Sequence, residues 1–364
     1  MKRMGRTGIP PVSRRAFVRG SAAIAGIAFA GGAGRSWGAE AKQLNVYNWD
    51  TYIGETTLDT FSKSTGIKIQ YDLYGDNEEM FAKLKEGNPG YDIVVPTDYM
   101  VQDMLTLNML EPLDHAKIPN LKHVDPAFKN PAFDPGLKHS IPYMWGTMGF
   151  GYRKSKVDGV PASWADILEP ERAKKYSGRI ALLSDSRAVI GGALKYLGYG
   201  MNTTNAGEIA KARDLLIAVK PHIKTFAEDN GQDLLMSGEV DITLEWSGDI
   251  AAVMNEDKDL NYVVPKEGSN VWVDSLCIPK GAPHPENAHK FINHLHDVDV
   301  HVEIANTIYF ATSNKDAKAK MPPEYTDNPA VFAPEDVLAR CEALLSVGDH
   351  ARLYDEAWTA IQAA

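Results

Sequence analysis

The sequence predicts an α/β protein folded as two lobes, and three observations carry that prediction. Strands and helices alternate from residue 44 to residue 95, which argues a mostly parallel sheet with covered faces. The alternation returns after residue 179. The chain of 364 residues exceeds what one simple core holds and fits two domains of ordinary size, yet no Gly/Ser-rich or low-complexity linker divides it. Two lobes joined by ordinary strands, crossed more than once, leave no linker of that kind.

Each element has a local reason. Residues 44–47 read as a short strand. Residues 54–64 read as a helix with Leu58 and Phe61 on one face, stopped by Gly66. Ile67, Ile69, Tyr71 and Leu73 alternate with polar residues, the mark of a half-buried strand. A second helix at 77–86 is stopped by Gly87 and Pro89, and 91–95 (YDIVV) reads as a buried strand that Pro96 ends. Further on, strands at 179–183, 241–244 and 262–264 accompany helices at 187–197 and 206–219. From Pro285 the chain reads as mainly helical, at about 285–296, 298–306, 334–345 and 350–362.

The first 41 residues read as a targeting segment. Lys2, Arg3, Arg6, Arg14, Arg15 and Arg19 precede a small apolar run, Ser21 to Ala30, too short to span a bilayer. Ser13-Arg14-Arg15-Ala16-Phe17-Val18 resembles a twin-arginine export signal, and Ala39-Glu40-Ala41 fits a cleavage site that starts the mature chain near Lys42. No lipobox cysteine follows, so the expected product is a soluble protein of the bacterial periplasm. Acids outnumber bases 48 to 38, and the only basic run lies within the first twenty residues. Such a chain has no long-range attraction for phosphate backbones, which argues against nucleic-acid binding. Cys277 and Cys341 are expected to be unpaired thiols serving as small apolar residues.

Catalytic constellations are missing from the sequence: there is no G-x-S-x-G, H-E-x-x-H, P-loop or C-x-x-C. His289, His294, His296 and His301 gather in one stretch, but His296 and His301 are five apart, a poor spacing for one helical face, and the four read as solvated surface residues. No catalytic residue, metal site or cofactor is therefore expected.

What the sequence offers instead is a set of aromatic–acid pairings at strand ends: Asn48-Trp49-Asp50-Thr51-Tyr52, Pro96-Thr97-Asp98-Tyr99, Ser184-Asp185-Ser186-Arg187, Glu245-Trp246-Ser247-Gly248-Asp249 and Trp272-Val273-Asp274. Ligands of open α/β sheets bind beyond the carboxyl ends of strands. Trp272 and Asp274, two apart on a strand, share a face. Taken singly, each cluster is ordinary, with Trp in a core and Asp as a helix cap. Together they match a flexible dication. Carboxylates fix its ammonium ends through charge-assisted hydrogen bonds, and Trp and Tyr faces cover its methylenes with about 0.5–2 kcal/mol of cation–π attraction each. An anion would call for Arg, Lys or helix N-termini.

In this order the residues resemble the periplasmic spermidine/putrescine-binding family of ABC importers. The most specific stretches are VYNWDTYI (46–53), YDIVVPTDYMV (91–101), IPYMWGTMGFGY (141–152), ALLSDSRAV (181–189), GEVDITLEWSGD (238–249), VVPKEGSNVWVDSLCIP (263–279) and LYDEAW (353–358). The resemblance implies a two-lobed venus-flytrap fold of the type II periplasmic-binding class with its ligand between the lobes. One lobe is expected at 42–148 plus 273–316, the other at 149–272 plus 317–364. Trp49, Tyr52, Thr97, Tyr99, Asp185, Trp246, Asp249, Trp272 and Asp274 fall at the family's ligand contacts, with Asp50 beside them. Asp274 and Asp249 are expected near one ammonium, Asp185 near the other end or a middle amine, with Trp49, Tyr99, Trp246 and Trp272 as walls.

Four positions depart from the family pattern. Ala188 stands where spermidine-preferring members carry Glu, and Thr51 where a putrescine-type member carries an acid. Phe310 replaces a pocket tyrosine, and Leu344 falls near a late pocket glutamine. The ligand is thus left among putrescine, spermidine, a related diamine, and a monocationic amine or amino-acid derivative. The resemblance implies a monomeric binding protein that delivers a polyamine to a membrane permease. The alternatives are a sensor that presents amines to a receptor and an amine-processing enzyme on the same scaffold.

Overall fold

The computed structural model describes residues 40–364; the twin-arginine motif and the apolar run lie outside the described residues. Ten strands form one mixed, curled sheet: β1 (Gln43–Trp49), β2 (Lys68–Tyr74), β3 (Ile93–Val94), β4 (Ser140–Arg153), β5 (Ile180–Leu183), β6 (Ile223–Ala227), β7 (Ile242–Trp246), β8 (Leu260–Val263), β9 (Val271–Cys277) and β10 (Ala311–Thr312). The order is β2-β1-β3-β9-β4-β7-β5-β6, with β8 and β10 also paired to β4.

Parallel pairing holds β1 to β2 and β3, and β5 to β6 and β7, as the alternating pattern predicts. The other pairings are antiparallel and all involve β4 or β9. β4 joins the two halves. Its residues 140–147 pair with β9 and β10, and 148–153 with β7 and β8. This 14-residue strand is nearly all buried, and it reads as a strand only weakly because glycines interrupt it. Those glycines serve close approach: a β-carbon on Gly151 would stand 2.4 Å from Ile250, and one on Gly149 2.6 Å from the Val263 carbonyl.

Helices cover both faces. The Thr57–Thr65 helix ends at Gly66, whose φ of +71° lets its amide reach the Ser62 carbonyl at 2.9 Å. The Asn77–Lys85 helix is capped by Asp76, which accepts the Glu79 amide at 2.6 Å. Phe61 meets Phe291 of the Pro285–Leu295 helix edge-to-face at 5.0 Å. In the other half Phe150 meets Trp164 at 5.1 Å, and Trp358 of the Ala351–Ala363 helix meets Phe226 at 5.0 Å. Phe332 reaches back to Trp145 at 5.8 Å, and Tyr325 Oη donates to the Phe310 carbonyl.

Four sequence-based expectations differ from the structure. Leu73 is exposed, and Tyr74 turns inward instead, donating to the Val95 carbonyl at 2.6 Å; a strand's alternation gives way where its last residue finds a buried acceptor. The 91–95 segment is buried throughout, but only Ile93–Val94 pairs as a strand. The helix expected at 334–345 is confined to Glu335–Leu338. Beyond it Glu342 donates to the Ser269 carbonyl and accepts from Val271, while its carboxylate takes Lys195 at 2.8 Å and the Met201 amide at 3.1 Å. These fixed partners override local helical propensity.

The histidines also differ from expectation. His296 and His301 are wholly buried, stacked at 5.4 Å, and His289 is buried with Nε2 accepting the Asp114 amide at 2.9 Å. They occupy the inward faces of the Pro285–Leu295 and Val298–Ile308 helices and the turn between them, not the surface. Cys277 and Cys341 are free thiols.

Candidate functional site

The eleven residues singled out from the sequence all line one cavity of about 320 Å³. Trp49 ends β1, and Asp50 and Tyr52 occupy the turn after it, where Thr51 takes a φ of +48°. Thr97 stands at the N-cap position of the Asp98–Thr106 helix after β3, without a side-chain cap bond, and Tyr99 lies in its first turn. Asp185 caps the Ser186–Tyr196 helix after β5, accepting the Ala188 amide at 2.8 Å. Asp185 is therefore both a cap and a cavity wall. Trp246 ends β7, and Asp249 lies in the first turn of the Ser247–Glu256 helix without capping it. Trp272 and Asp274 come from β9 and do share a face, and Phe310 immediately precedes β10.

The walls are fixed by contacts among the aromatic residues. Trp49 Nε1 donates to the Val95 carbonyl at 2.8 Å. Trp246 and Trp272 meet edge-to-face at 6.0 Å, and the Phe310 ring stands 5.2 Å from Trp272 and 5.5 Å from Tyr52. Phe310 comes this close because Gly248 leaves room: a β-carbon there would stand 2.3 Å from the ring.

Sequence reasoning missed part of the lining. Asp76, Asn77, Glu78, Asp229, Asn270, Asp355 and Trp358 also face the cavity, as does Leu344. Glu78 and Asn77 begin the helix after β2, a strand-end position like those of the chosen clusters, and that signal was available. Asp229 follows β6 in the same way. Asp355 and Trp358 lie within the LYDEAW stretch, which carried the resemblance but suggested no contact.

Among the described residues nine carboxylates line the cavity, Asp50, Asp76, Glu78, Asp98, Asp185, Asp229, Asp249, Asp274 and Asp355, and no Lys, Arg or His does. Burial pushes Asp274 up to about 7, although the Thr97 and Tyr52 hydroxyls hold it back in part. Burial and then the Asp185 charge push Glu78 up to about 7, and Tyr99 Oη donates to Glu78 Oε1 at 3.0 Å. Loss of solvent, followed by Asp50 and Asp233, pushes Asp229 up to about 6. Asp98, Asp185 and Asp249 are raised as well, each first by desolvation. Crowded carboxylates of this kind are ionised together only when cations stand among them.

A family model for bacterial extracellular solute-binding proteins matches residues 56–333. The chain belongs to that family. It is 36% identical to spermidine/putrescine-binding periplasmic protein 1 of Haemophilus influenzae over 88% of each chain. It is 34% identical to the putrescine-binding periplasmic protein PotF of Escherichia coli, covering 89% of this chain and 92% of that one. Among solved structures, the spermidine/putrescine ABC transporter substrate-binding protein PotD of Streptococcus pneumoniae, in complex with calcium and HEPES, superposes with a TM-score of 0.74 at 32% identity, covering 88% of this chain and all of that one. This family member has the two-lobed fold of periplasmic binding proteins, and no helix among its described residues is long and apolar enough to cross a membrane.

Proposed function

We propose that this solute-binding protein captures a polyamine, putrescine or spermidine, and delivers it to the permease of an ABC importer. The observation that carries the reading is the lining of the cavity, which among the described residues holds nine carboxylates, the tryptophans Trp49, Trp246, Trp272 and Trp358, and no basic side chain. A polyamine needs acceptors for its ammonium groups and apolar faces for the methylenes between them. The names of the relatives, spermidine/putrescine- and putrescine-binding proteins, agree with that chemistry.

In this reading Asp274 and Asp249 lie near one end of the ligand. Asp185 holds the other end together with Glu78, which supplies an acid that Ala188 does not. The lobes are 42–148 plus 273–316 and 149–272 plus 317–364, although the contacts of Tyr325 and Phe332 tie residues near 325–332 to the first lobe. The shared strands β4 and β9 serve as the crossing about which the lobes close on the ligand. The protein acts as a monomer, by binding and without catalysis. It is exported by the twin-arginine signal and cleaved after Ala41. Cleavage there removes Glu40, whose carboxylate accepts the Glu286 and Asn287 amides at 2.9 and 3.0 Å.

The test is a calorimetric titration with putrescine, spermidine, cadaverine, agmatine and 4-aminobutyrate. Micromolar or tighter binding of one polyamine, lost in Asp274→Ala, supports the reading and names the ligand. No binding of any dication sinks it and leaves the fold standing.

A further inference from the structure

Beside the wall formed by Asp249 lies a group of carboxylates that the family positions do not account for. One oxygen from each of Asp229, Glu245 and Asp249 lies within 4.8 Å of the other two. Asp229 and Asp249 line the cavity, and Glu245 stands behind them on β7, wholly buried. Glu245 Oε1 accepts the Trp246 amide at 3.0 Å, whereas Oε2 is buried without any hydrogen-bond partner. Gly231 leaves room for this oxygen: a β-carbon there would stand 2.3 Å from Oε2. Buried polar atoms almost always have partners, and a cation standing among the three carboxylates would supply one for this oxygen.

We propose that Asp229, Glu245 and Asp249 form a three-acceptor cradle for a terminal primary ammonium of the ligand. The inference rests on the polyamine reading of the cavity and narrows it: the ligand ends in –NH₃⁺ at this wall, not in a quaternary or guanidinium group. Three N–H donors meet three carboxylate oxygens. An ammonium nitrogen about 2.8 Å from each oxygen, along tetrahedral directions, holds the oxygens about 4.6 Å apart, within the observed spread. A divalent metal suits the group less well. Magnesium at about 2.0–2.1 Å in octahedral geometry draws adjacent oxygens to about 3 Å, and calcium takes about six to eight oxygens where three carboxylates converge. The methylenes of the ligand then run from the cradle along Trp246 and Trp272.

The experiment is calorimetry on the purified protein and on Glu245→Gln and Asp229→Asn, with putrescine, spermidine, and calcium or magnesium chloride as probes, together with melting temperatures without ligand. Both substitutions keep side-chain size. The proposal expects each variant to bind putrescine at least tenfold more weakly, while Glu245→Gln without ligand melts at the same temperature or higher, because a crowded buried charge has been removed. Affinities within twofold of wild type overturn the cradle and leave the polyamine reading standing. Millimolar calcium or magnesium binding that is lost in Glu245→Gln, with putrescine affinity unchanged, overturns it in favour of a metal site. A wild-type protein that binds neither amine removes both the cradle and the reading beneath it.

Discussion

Thr97 Oγ1 donates to Asp274 Oδ1 at 2.7 Å and itself receives Asn77 Nδ2 at 3.0 Å. The relay crosses from the start of the helix after β3 to β9, where Thr97 and Asp274 form an isolated antiparallel bridge. It orients Asp274 and stabilises its charged form, so the hydroxyl matters most to a ligand that needs that charge. Thr97→Val should weaken polyamine binding by about tenfold, the lower end of the worth of one hydrogen bond to a charged group. Asp274→Asn should weaken it by at least a hundredfold, since removing one partner of a buried charge pair costs about 2–5 kcal/mol. Calorimetry on both variants checks the ranking; equal losses would mean that Thr97 does more than orient its neighbour.

Glu78 carries the second prediction. It faces Asp185 and is held by Tyr99, on the wall where Ala188 contributes no carboxylate. Glu78→Gln should weaken binding of spermidine about tenfold or more, and Tyr99→Phe, which only frees the carboxylate, by a smaller factor. If Glu78→Gln binds as wild type does, Asp185 alone serves that end of the ligand.

The raised carboxylates predict how binding depends on pH. A protonated carboxyl cannot pair with an ammonium, so the ligand drives protons off Asp274 and Glu78, both pushed up to about 7, and off Asp229, pushed up to about 6. For the protein alone the sign is opposite. These acids bind protons more tightly folded than unfolded, so the stability they contribute is full below about pH 4 and lost as pH rises towards 7. Affinity should therefore fall as pH drops from 8 to 6, by about tenfold for each of Asp274 and Glu78 that must ionise. The ligand-induced rise in melting temperature should shrink in parallel. Titrations at pH 8, 7 and 6 decide it, and a flat profile would show that these groups are already ionised before the ligand arrives.

The strand-end clusters were legible because chemistry and position coincide there. Trp49, Asp185 and Trp246 each sit where a strand ends, so a pattern of types at strand ends was enough to gather them, whereas Asp274 lies mid-strand in β9 and was found through its shared face with Trp272. Glu78 and Asp229 occupy equivalent positions after β2 and β6, but the aromatic–acid criterion was not applied to those two strand ends. Glu245 was visible as a letter in a cluster, but its convergence with Asp229 depends on β7 lying beside the Gly231–Met236 helix, a tertiary fact. The failure at 334–345 has the same origin. The segment has helical composition, yet Glu342 is claimed by Ser269, Val271, Lys195 and Met201, all distant in sequence. The histidines misled because the sequence pattern measured their mutual spacing, whereas their burial follows from which helix faces meet the core.

Gly248 gives a prediction that separates shape from charge. Its missing β-carbon is what admits the Phe310 ring between Tyr52 and Trp272. Gly248→Ala introduces an atom 2.3 Å from that ring, and the ring, confined on its other sides, moves towards the cavity. Overpacking of this kind costs about 1–3 kcal/mol, so the variant should melt lower and bind polyamine about tenfold more weakly. A companion change, Phe310→Leu in the Gly248→Ala background, should recover stability by relieving the clash. Failure to recover would place the strain elsewhere in the Ser247–Glu256 helix.

His296 and His301, which do not line the ligand cavity, make the protein sensitive to acid. Neither ring nitrogen of His296 has a partner, and the two rings stack at 5.4 Å with Tyr143 edge-on to His301 at 6.0 Å. Burial, and for His296 the neighbouring His301 and His123, hold His296 well below the usual histidine range, and burial holds His301 at about 4. The unfolded chain takes up these protons near pH 6.5 and the folded protein does not. The stability contributed by the neutral rings is therefore full above about pH 6.5 and lost as pH falls towards 4, a difference of about 3 kcal/mol for His301 alone at one unit per 1.36 kcal/mol. His296→Phe keeps a flat ring in the stack and removes one proton acceptor. Its acid unfolding midpoint should move to lower pH, with melting at pH 8 little changed, while the polyamine affinity at pH 8 stays as in wild type. An acid midpoint that does not move would assign the acid sensitivity to the half-buried His294, also held low by burial, and His294→Leu would then produce the shift.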